Sequence, residues 1–169
     1  MSPPPSSDPV AVTPSYLREW PLPEAEGGKE GRGRTLIVGG SAETPGAVLL
    51  AAEAALRCGA GKLQVATARS VAHAVAVALP EALVRGLPET TSGAVRGSAA
   101  EEIGELAGEA DCLLVGPGLV DPAESAALVR GLLPGLRTPL ILDALALAAV
   151  TEDVGCLHHL GGRAVLTPN

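Results

Sequence analysis

Aromatic side chains are almost missing from this sequence. Its 169 residues include no Phe, and Trp, Tyr and Met occur once each. Any core must therefore be filled by Ala, Val, Leu and Gly, small side chains that let helices lie close on a sheet. Basic clusters are also missing. Twelve Lys and Arg stand against nineteen Asp and Glu, for a net charge of -7, a balance that repels phosphate backbones and anionic lipid and argues against nucleic-acid or membrane partners. No metal-ligand spacing occurs: there is no C-x-x-C, no H-E-x-x-H and no paired-carboxylate constellation. The three cysteines, Cys58, Cys112 and Cys156, are far apart and lie in or beside apolar segments. Such an odd set reads as buried thiols in a reducing cytosol, which places the chain in the cytoplasm. The opening "MSPPPSSDPV" has neither the basic nor the apolar region of a secretion leader. The longest apolar stretch, "GAVLLAAEAALRCGAG", is interrupted by Glu53 and Arg57 and is too short to span a bilayer.

What is present is a regular alternation. A chain of this length suits one domain and buries roughly 70% of its extended surface. The Pro/Ser-rich residues 1–16 are expected to be disordered, although "TPSYLREW" offers one helical turn with Thr13 as N-cap and Pro14 at N1. "PLPEAEGGKEGRGR" reads as a loop. Short apolar runs suited to buried parallel strands then follow: "TLIVGG", "LQVATA", "ALVRGL", "DCLLVG", "PLILDA" and "RAVLTP". Helical patterns separate them: "PGAVLLAAEAALRCG", "SVAHAVAVALP", "SAAEEIGELAGEA" and "DPAESAALVRGLL". Ser70 and Asp121 are helix-start signals, the second strengthened by Pro122, and Gly59 suits a left-handed helix end. Repeated strand–helix–strand units predict an α/β fold, a three-layer α/β/α domain with a mainly parallel sheet and right-handed crossovers.

In such sheets ligands sit beyond the carboxyl ends of the strands. Four strand ends are distinctive: Gly39-Gly40-Ser41, Gly116-Pro117-Gly118, Asp143 and Thr167-Pro168-Asn169. All four are expected on one rim. The first is neither G-x-G-x-x-G nor a P-loop; Gly61-Lys62 has Leu56 and Leu63 where a P-loop needs glycine and a hydroxyl. Lys62 reads instead as a solvated residue before strand two. Gly39 and Gly40 would leave backbone N–H groups bare, and the helix starting near Pro45 would aim its positive end at an occupant. Gly46 and Ala47 would let a ring system approach. A plain βα turn explains the same residues, and a sharp turn explains "GPG". Asp143 fits a general base, an anchor for a ribose hydroxyl, or the N-cap of the next helix. His73 reads as a packing or surface residue, while His158 and His159 point about 100° apart on a helix and cannot share a metal. Ser41 has no evident His partner for nucleophilic catalysis.

In order, "RGRTLIVGGSAETPGAVLLAAEAALRCGAGKLQVATA", "ALPEALVRGLP", "LLVGPGL", "LILDALAL" and "AVLTPN" resemble the ADP-dependent NAD(P)H-hydrate dehydratases of the ribokinase-like superfamily, over residues 17–169. The resemblance implies a lyase that repairs NADH or NADPH hydrated across the nicotinamide C5–C6 bond: ATP or ADP, with Mg2+, phosphorylates the added hydroxyl, and phosphate then leaves. It also implies a homo-oligomer, a tetramer. By motif it carries hydrate binding onto Ala47, Gly118 and Asn169, with Gly39, Gly40, Ser41, Gly116 and Asp143 beside them. Asn169 stands where His is common, and Leu145 where many relatives carry a second Asp. The family's lysine-bearing nucleotide loop and its G-x-G-D segment with the catalytic Asp occur nowhere in these residues. The fold is thus expected to stop before its nucleotide-binding half, so that these residues alone lack catalysis and the last strand leaves an unpaired, association-prone edge. A hydroxymethylpyrimidine- or sugar-type kinase of the same superfamily and a non-catalytic dinucleotide-binding remnant are the rival readings. A dehydrogenase is disfavoured, since no acidic residue closes a second strand near position 68.

Overall fold

The computed structural model describes residues 11–19 and 28–168. All six expected strands form: β1 Arg34–Val38, β2 Lys62–Ala68, β3 Ala82–Leu87, β4 Cys112–Val115, β5 Leu140–Asp143 and β6 Ala164–Thr167. They make one six-stranded sheet in the order β3-β2-β1-β4-β5-β6, with every neighbouring pair parallel. From β1 the chain winds outward to β3, then returns to start the other half at β4. The order therefore reverses between β1 and β4, which opens a crevice beyond their carboxyl ends.

The helices are α1 Pro14–Glu19, α2 Gly28–Gly31, α3 Gly46–Arg57, α4 Arg69–Ala78, α5 Ala100–Gly108, α6 Pro122–Leu132 and α7 Ala148–Glu152. Strand side chains alternate between two cores. Leu36 and Val38 face the larger one, with Leu113, Val115, Leu140 and Leu142, beneath Ile103 of α5, Leu128 of α6 and Ala149 of α7. Ile37, Leu63 and Val65 face the smaller one, beneath Val48 and Ala52 of α3 and Val75 of α4. Both cores are Leu, Val, Ile and Ala, as the lack of aromatics requires. No helix of the described residues is long and apolar enough to cross a membrane.

The local signals are mostly obeyed. Thr13 Oγ1 accepts the Tyr16 N–H and Pro14 opens α1, which runs across the 16/17 boundary expected between a disordered segment and the domain. Asp121 caps α6, accepting from the N–H groups of Ala123 and Glu124. Gly59, at φ +102°, ends α3, where the Ala60 N–H reaches Ala55 O and the Gly59 N–H reaches Leu56 O. That pair of bonds is the Schellman arrangement.

Four expectations are corrected. Ser70 lies inside α4 rather than capping it; its N–H and hydroxyl both donate to the Glu89 carboxylate, which does the capping from the loop after β3. The stretch read as a loop before β1 contains α2, against which Gly61 packs so closely that a methyl group there would strike the Lys29 carbonyl. Lys62 opens β2 and is half-buried. Cys58 is exposed rather than buried, because it follows the last turn of α3 at its open end. Cys112 and Cys156 are half-buried, and loss of hydration pushes both thiols up. His73, His158 and His159 are exposed.

Candidate functional site

Gly39, Gly116, Asp143 and Thr167 end or follow β1, β4, β5 and β6, four consecutive strands of a parallel sheet, so the expected rim exists. Asn169 lies outside the described residues. The reversal between β1 and β4 puts the two glycine-bearing turns side by side.

Their glycines are not bare. The Gly39 N–H donates to Ala66 O at 3.0 Å and the Gly40 N–H to Pro117 O at 2.7 Å. A methyl group at Gly39 would collide with the Pro117 carbonyl. One at Gly40 would come 2.5 Å from Thr67 Oγ1, and one at Gly118 would come 2.9 Å from Ala47 Cβ and 2.6 Å from Thr44 O. Gly116, at φ +136°, backs onto the Asp143 carbonyl. The expectation that these residues lack side chains in order to expose N–H groups is thereby corrected: neighbouring turns and the ends of β2 and β5 fill the space, and carbonyls of β2 and the GPG turn take the Gly39 and Gly40 amides.

A third turn, missed in the sequence, braces the first. After β3, Gly93 at φ +79° packs on Ala42, and the Ala42 N–H donates to Gly93 O at 3.0 Å. The "TSG" of this loop was the available signal. Ser41 is fully buried and serves the turn itself, its hydroxyl 2.8 Å from Thr44 Oγ1. Thr44 Oγ1 in turn donates to Gly118 O at 2.8 Å.

One rim glycine differs. Gly46, the first residue of α3, is exposed, and a Cβ built on it would meet nothing within 4 Å. Ala47 beside it and Gly118 across from it are half-buried. The rim therefore forms a backbone shelf, closed beneath by interlocked turns and open over Gly46 and Ala47. Pro45 offers no side-chain cap, so the positive end of α3 faces that opening uncompensated by a capping carboxylate or hydroxyl.

Asp143 borders the shelf on the β5 side. Its side chain does not cap the following 3-10 segment, Ala144–Leu147; instead Oδ1 accepts the Thr167 hydroxyl at 2.6 Å across the β5–β6 pair. The N-cap alternative is thus removed. Next to it Ala144 takes φ +49°, the one non-glycine residue with positive φ among those described. That conformation costs a residue with a Cβ on the order of 1–2 kcal/mol, and Gly116 leaves the space into which the Asp143–Ala144 corner folds. Elsewhere a cavity of about 560 Å³ between α6 and α7 is lined by Arg130, Leu133, Ala149, Cys156 and His159 among others, none of them on the rim. Arg130 pairs there with Glu152. The described residues contain no cluster of three or more His, Cys, Asp or Glu able to hold a metal ion.

Comparison with known proteins gives a consistent outcome. The family described as NAD(P)H-hydrate dehydratase matches residues 35–169. An ADP-dependent (S)-NAD(P)H-hydrate dehydratase of Xanthomonas campestris pv. campestris is 53% identical over 159 residues, covering 94% of this chain and 53% of that protein. A bifunctional NAD(P)H-hydrate repair enzyme of Moorella thermoacetica is 41% identical over 94% of this chain and 30% of its own length. Among solved structures, the ADP/ATP-dependent NAD(P)H-hydrate dehydratase of Bacillus subtilis, crystallised with ATP and Mg2+, superposes with a TM-score of 0.59 at 30% identity, over 80% of this chain and 46% of that one. The chain thus spans about half the length of the Xanthomonas protein and less of the Moorella one. With its ribokinase-like parallel sheet and its rim of interlocked turns, the chain belongs to the NAD(P)H-hydrate dehydratase family.

Proposed function

We propose that this chain carries the dinucleotide-binding shelf of an ADP/ATP-dependent dehydratase that returns the S form of hydrated NADH or NADPH to the reduced dinucleotide. The reading is supported by the dehydratase names of its relatives and by the open first turn of α3 at the β1/β4 reversal. Gly46 and Ala47 form the surface a flat ring can touch, Gly118 the wall opposite, and Gly39, Gly40, Ser41 and Gly116 the support beneath. Asp143 stands at the β5 border as a hydrogen-bond acceptor for a ligand hydroxyl, and Asn169, two residues after Thr167 in the sequence, completes the set of hydrate-binding residues. The exposed N-terminal dipole of α3 suits the anionic pyrophosphate of a dinucleotide. ADP or ATP and Mg2+ would supply phosphorylation of the added hydroxyl in the complete reaction. The described residues offer no metal cluster, and no residue of this chain is assigned to either group. Its place is the cytoplasm, and its assembly a homo-oligomer of the tetrameric kind.

Gly46 gives a clean test, because a Cβ added there points into open space. In Gly46→Leu, melting should hold or rise slightly, since leucine is the better helix former, while calorimetric binding of hydrated NADPH is abolished. Undiminished binding by the Leu variant would remove the shelf from the site.

A further inference from the structure

Two hydrogen bonds join the β1–α3 turn directly to the β4–α6 turn. One, Gly40 N–H to Pro117 O at 2.7 Å, is made wholly of main chain. The other, Thr44 Oγ1 to Gly118 O at 2.8 Å, depends on a single side chain. The proton directions follow from chemistry. Gly118 O can only accept, so the one hydroxyl proton of Thr44 goes there. Ser41 Oγ, 2.8 Å from Thr44 Oγ1, must then be the donor between the two hydroxyls. The Thr44 N–H completes the loop by donating at 3.3 Å to Ser41 Oγ and to Ser41 O.

At the far end of this chain of bonds, the Gly118–Leu119 peptide is held on both sides. Its carbonyl accepts from Thr44, and its N–H donates to Gly116 O at 3.0 Å. Gly118 also lies against Ala47, where an added methyl would come 2.9 Å from Ala47 Cβ. One threonine hydroxyl is therefore the side-chain tie that holds that peptide against the start of α3, beside the main-chain bond from Gly40 to Pro117.

We propose that Thr44 is a positioning residue of the dinucleotide site, setting the separation between the Gly46–Ala47 surface and the Gly118 wall. This rests on the reading given under Proposed function. Thr44 is assigned to work through Gly118, because its single proton is committed to Gly118 O and one of its two acceptor sites is taken by Ser41. A shelf for a flat ring is only as accurate as the spacing of its two walls, and small displacements there weaken binding out of proportion to the bond lost.

The experiment compares Thr44→Val and Thr44→Ser with the unaltered chain by calorimetric titration of NADPH and of hydrated NADPH, alongside melting temperatures. Valine keeps the shape but removes the donor to Gly118 and the acceptor for buried Ser41. We expect Thr44→Val to weaken dinucleotide binding about tenfold, and Thr44→Ser to restore it to within about twofold. Thr138→Val, which removes a buried hydroxyl that donates to Ala107 O at 2.6 Å beside the amino ends of β4 and β5, opposite the rim, should lower melting without changing affinity, which separates positioning from general loss of stability. If Thr44→Val does not fold, Ser41→Ala removes the upstream donor and one of the two acceptors of the Thr44 N–H, leaves the Thr44–Gly118 bond in place, and should weaken binding about threefold. Unchanged affinity in Thr44→Val, or in Ser41→Ala where that variant stands in, overturns the positioning role while leaving the shelf in place. Equal loss in Thr44→Ser and Thr44→Val also overturns it. A chain that binds neither form of NADPH at all sinks the shelf reading and the role of Thr44 with it.

Discussion

At the scale of single residues, the glycines of the rim serve two purposes that look alike in sequence. Gly39, Gly40, Gly116 and Gly118 lack side chains because a neighbouring turn, the Thr67 hydroxyl of β2 or the Asp143 carbonyl of β5 occupies the place of the Cβ, whereas Gly46 lacks one facing open space. "GG" and "GPG" showed where bulk is missing but not what fills the gap, since the neighbour is remote in sequence. Asp143 was equally ambiguous, and only the pairing of β5 with β6 brings it the Thr167 hydroxyl. Thr67 had no signal at all: an apolar strand end ordinarily tolerates a threonine. Its Oγ1 is fully enclosed beneath Gly40 and has no hydrogen-bond partner among the described residues. A hydroxyl buried without a partner costs on the order of 1–3 kcal/mol. Thr67→Val, which replaces that hydroxyl with a methyl of similar size, should therefore raise stability by about 1 kcal/mol in denaturant titrations. Destabilisation would mean that an ordered water or a bound group satisfies the oxygen.

At the scale of elements, every strand and the four long helices were legible, because period-two and period-3.6 patterns are set by burial within the element itself. Ends were legible where the cap is local. Thr13, Asp121 and Gly59 act on residues two to four positions away. Ser70 misled because the capping carboxylate, Glu89, comes from 19 residues later. The loop after β3 was passed over for the same reason, as its function is to brace Ala42. Asp121 permits a direct measurement. It accepts from two N–H groups at 3.0 Å each at the start of a helix that supplies Leu128, Val129 and Leu132 to the larger core. Asp121→Ala should cost about 1 kcal/mol and lower the melting midpoint by roughly 2–4 °C. A midpoint unmoved by the substitution would show that packing alone sets the start of α6.

At the scale of the whole molecule, parallel pairing and the return of the chain to β4 place the rim, and β6 forms one side of the sheet. Val165 and Leu166 on that strand are 58% and 40% exposed, while β5 is its only partner among the described residues. Exposed apolar edges invite pairing with another chain, and a lysine on the strand opposes it. Val165→Lys should therefore shift sedimentation toward a monomer at concentrations where the unaltered chain associates. Concentration-independent monomers for both would remove the edge as an association surface.

The shelf is cut from main chain, and that has a consequence for selectivity. Amide planes and glycine carbons offer any ring stacked on them the same face, whichever carrier the ring belongs to. NADH and NADPH differ only by a phosphate on the adenosine ribose, a group remote from the nicotinamide. On the proposed reading, discrimination between the two falls to charged side chains flanking the floor, and exchanging those would retune carrier preference while the floor stayed intact.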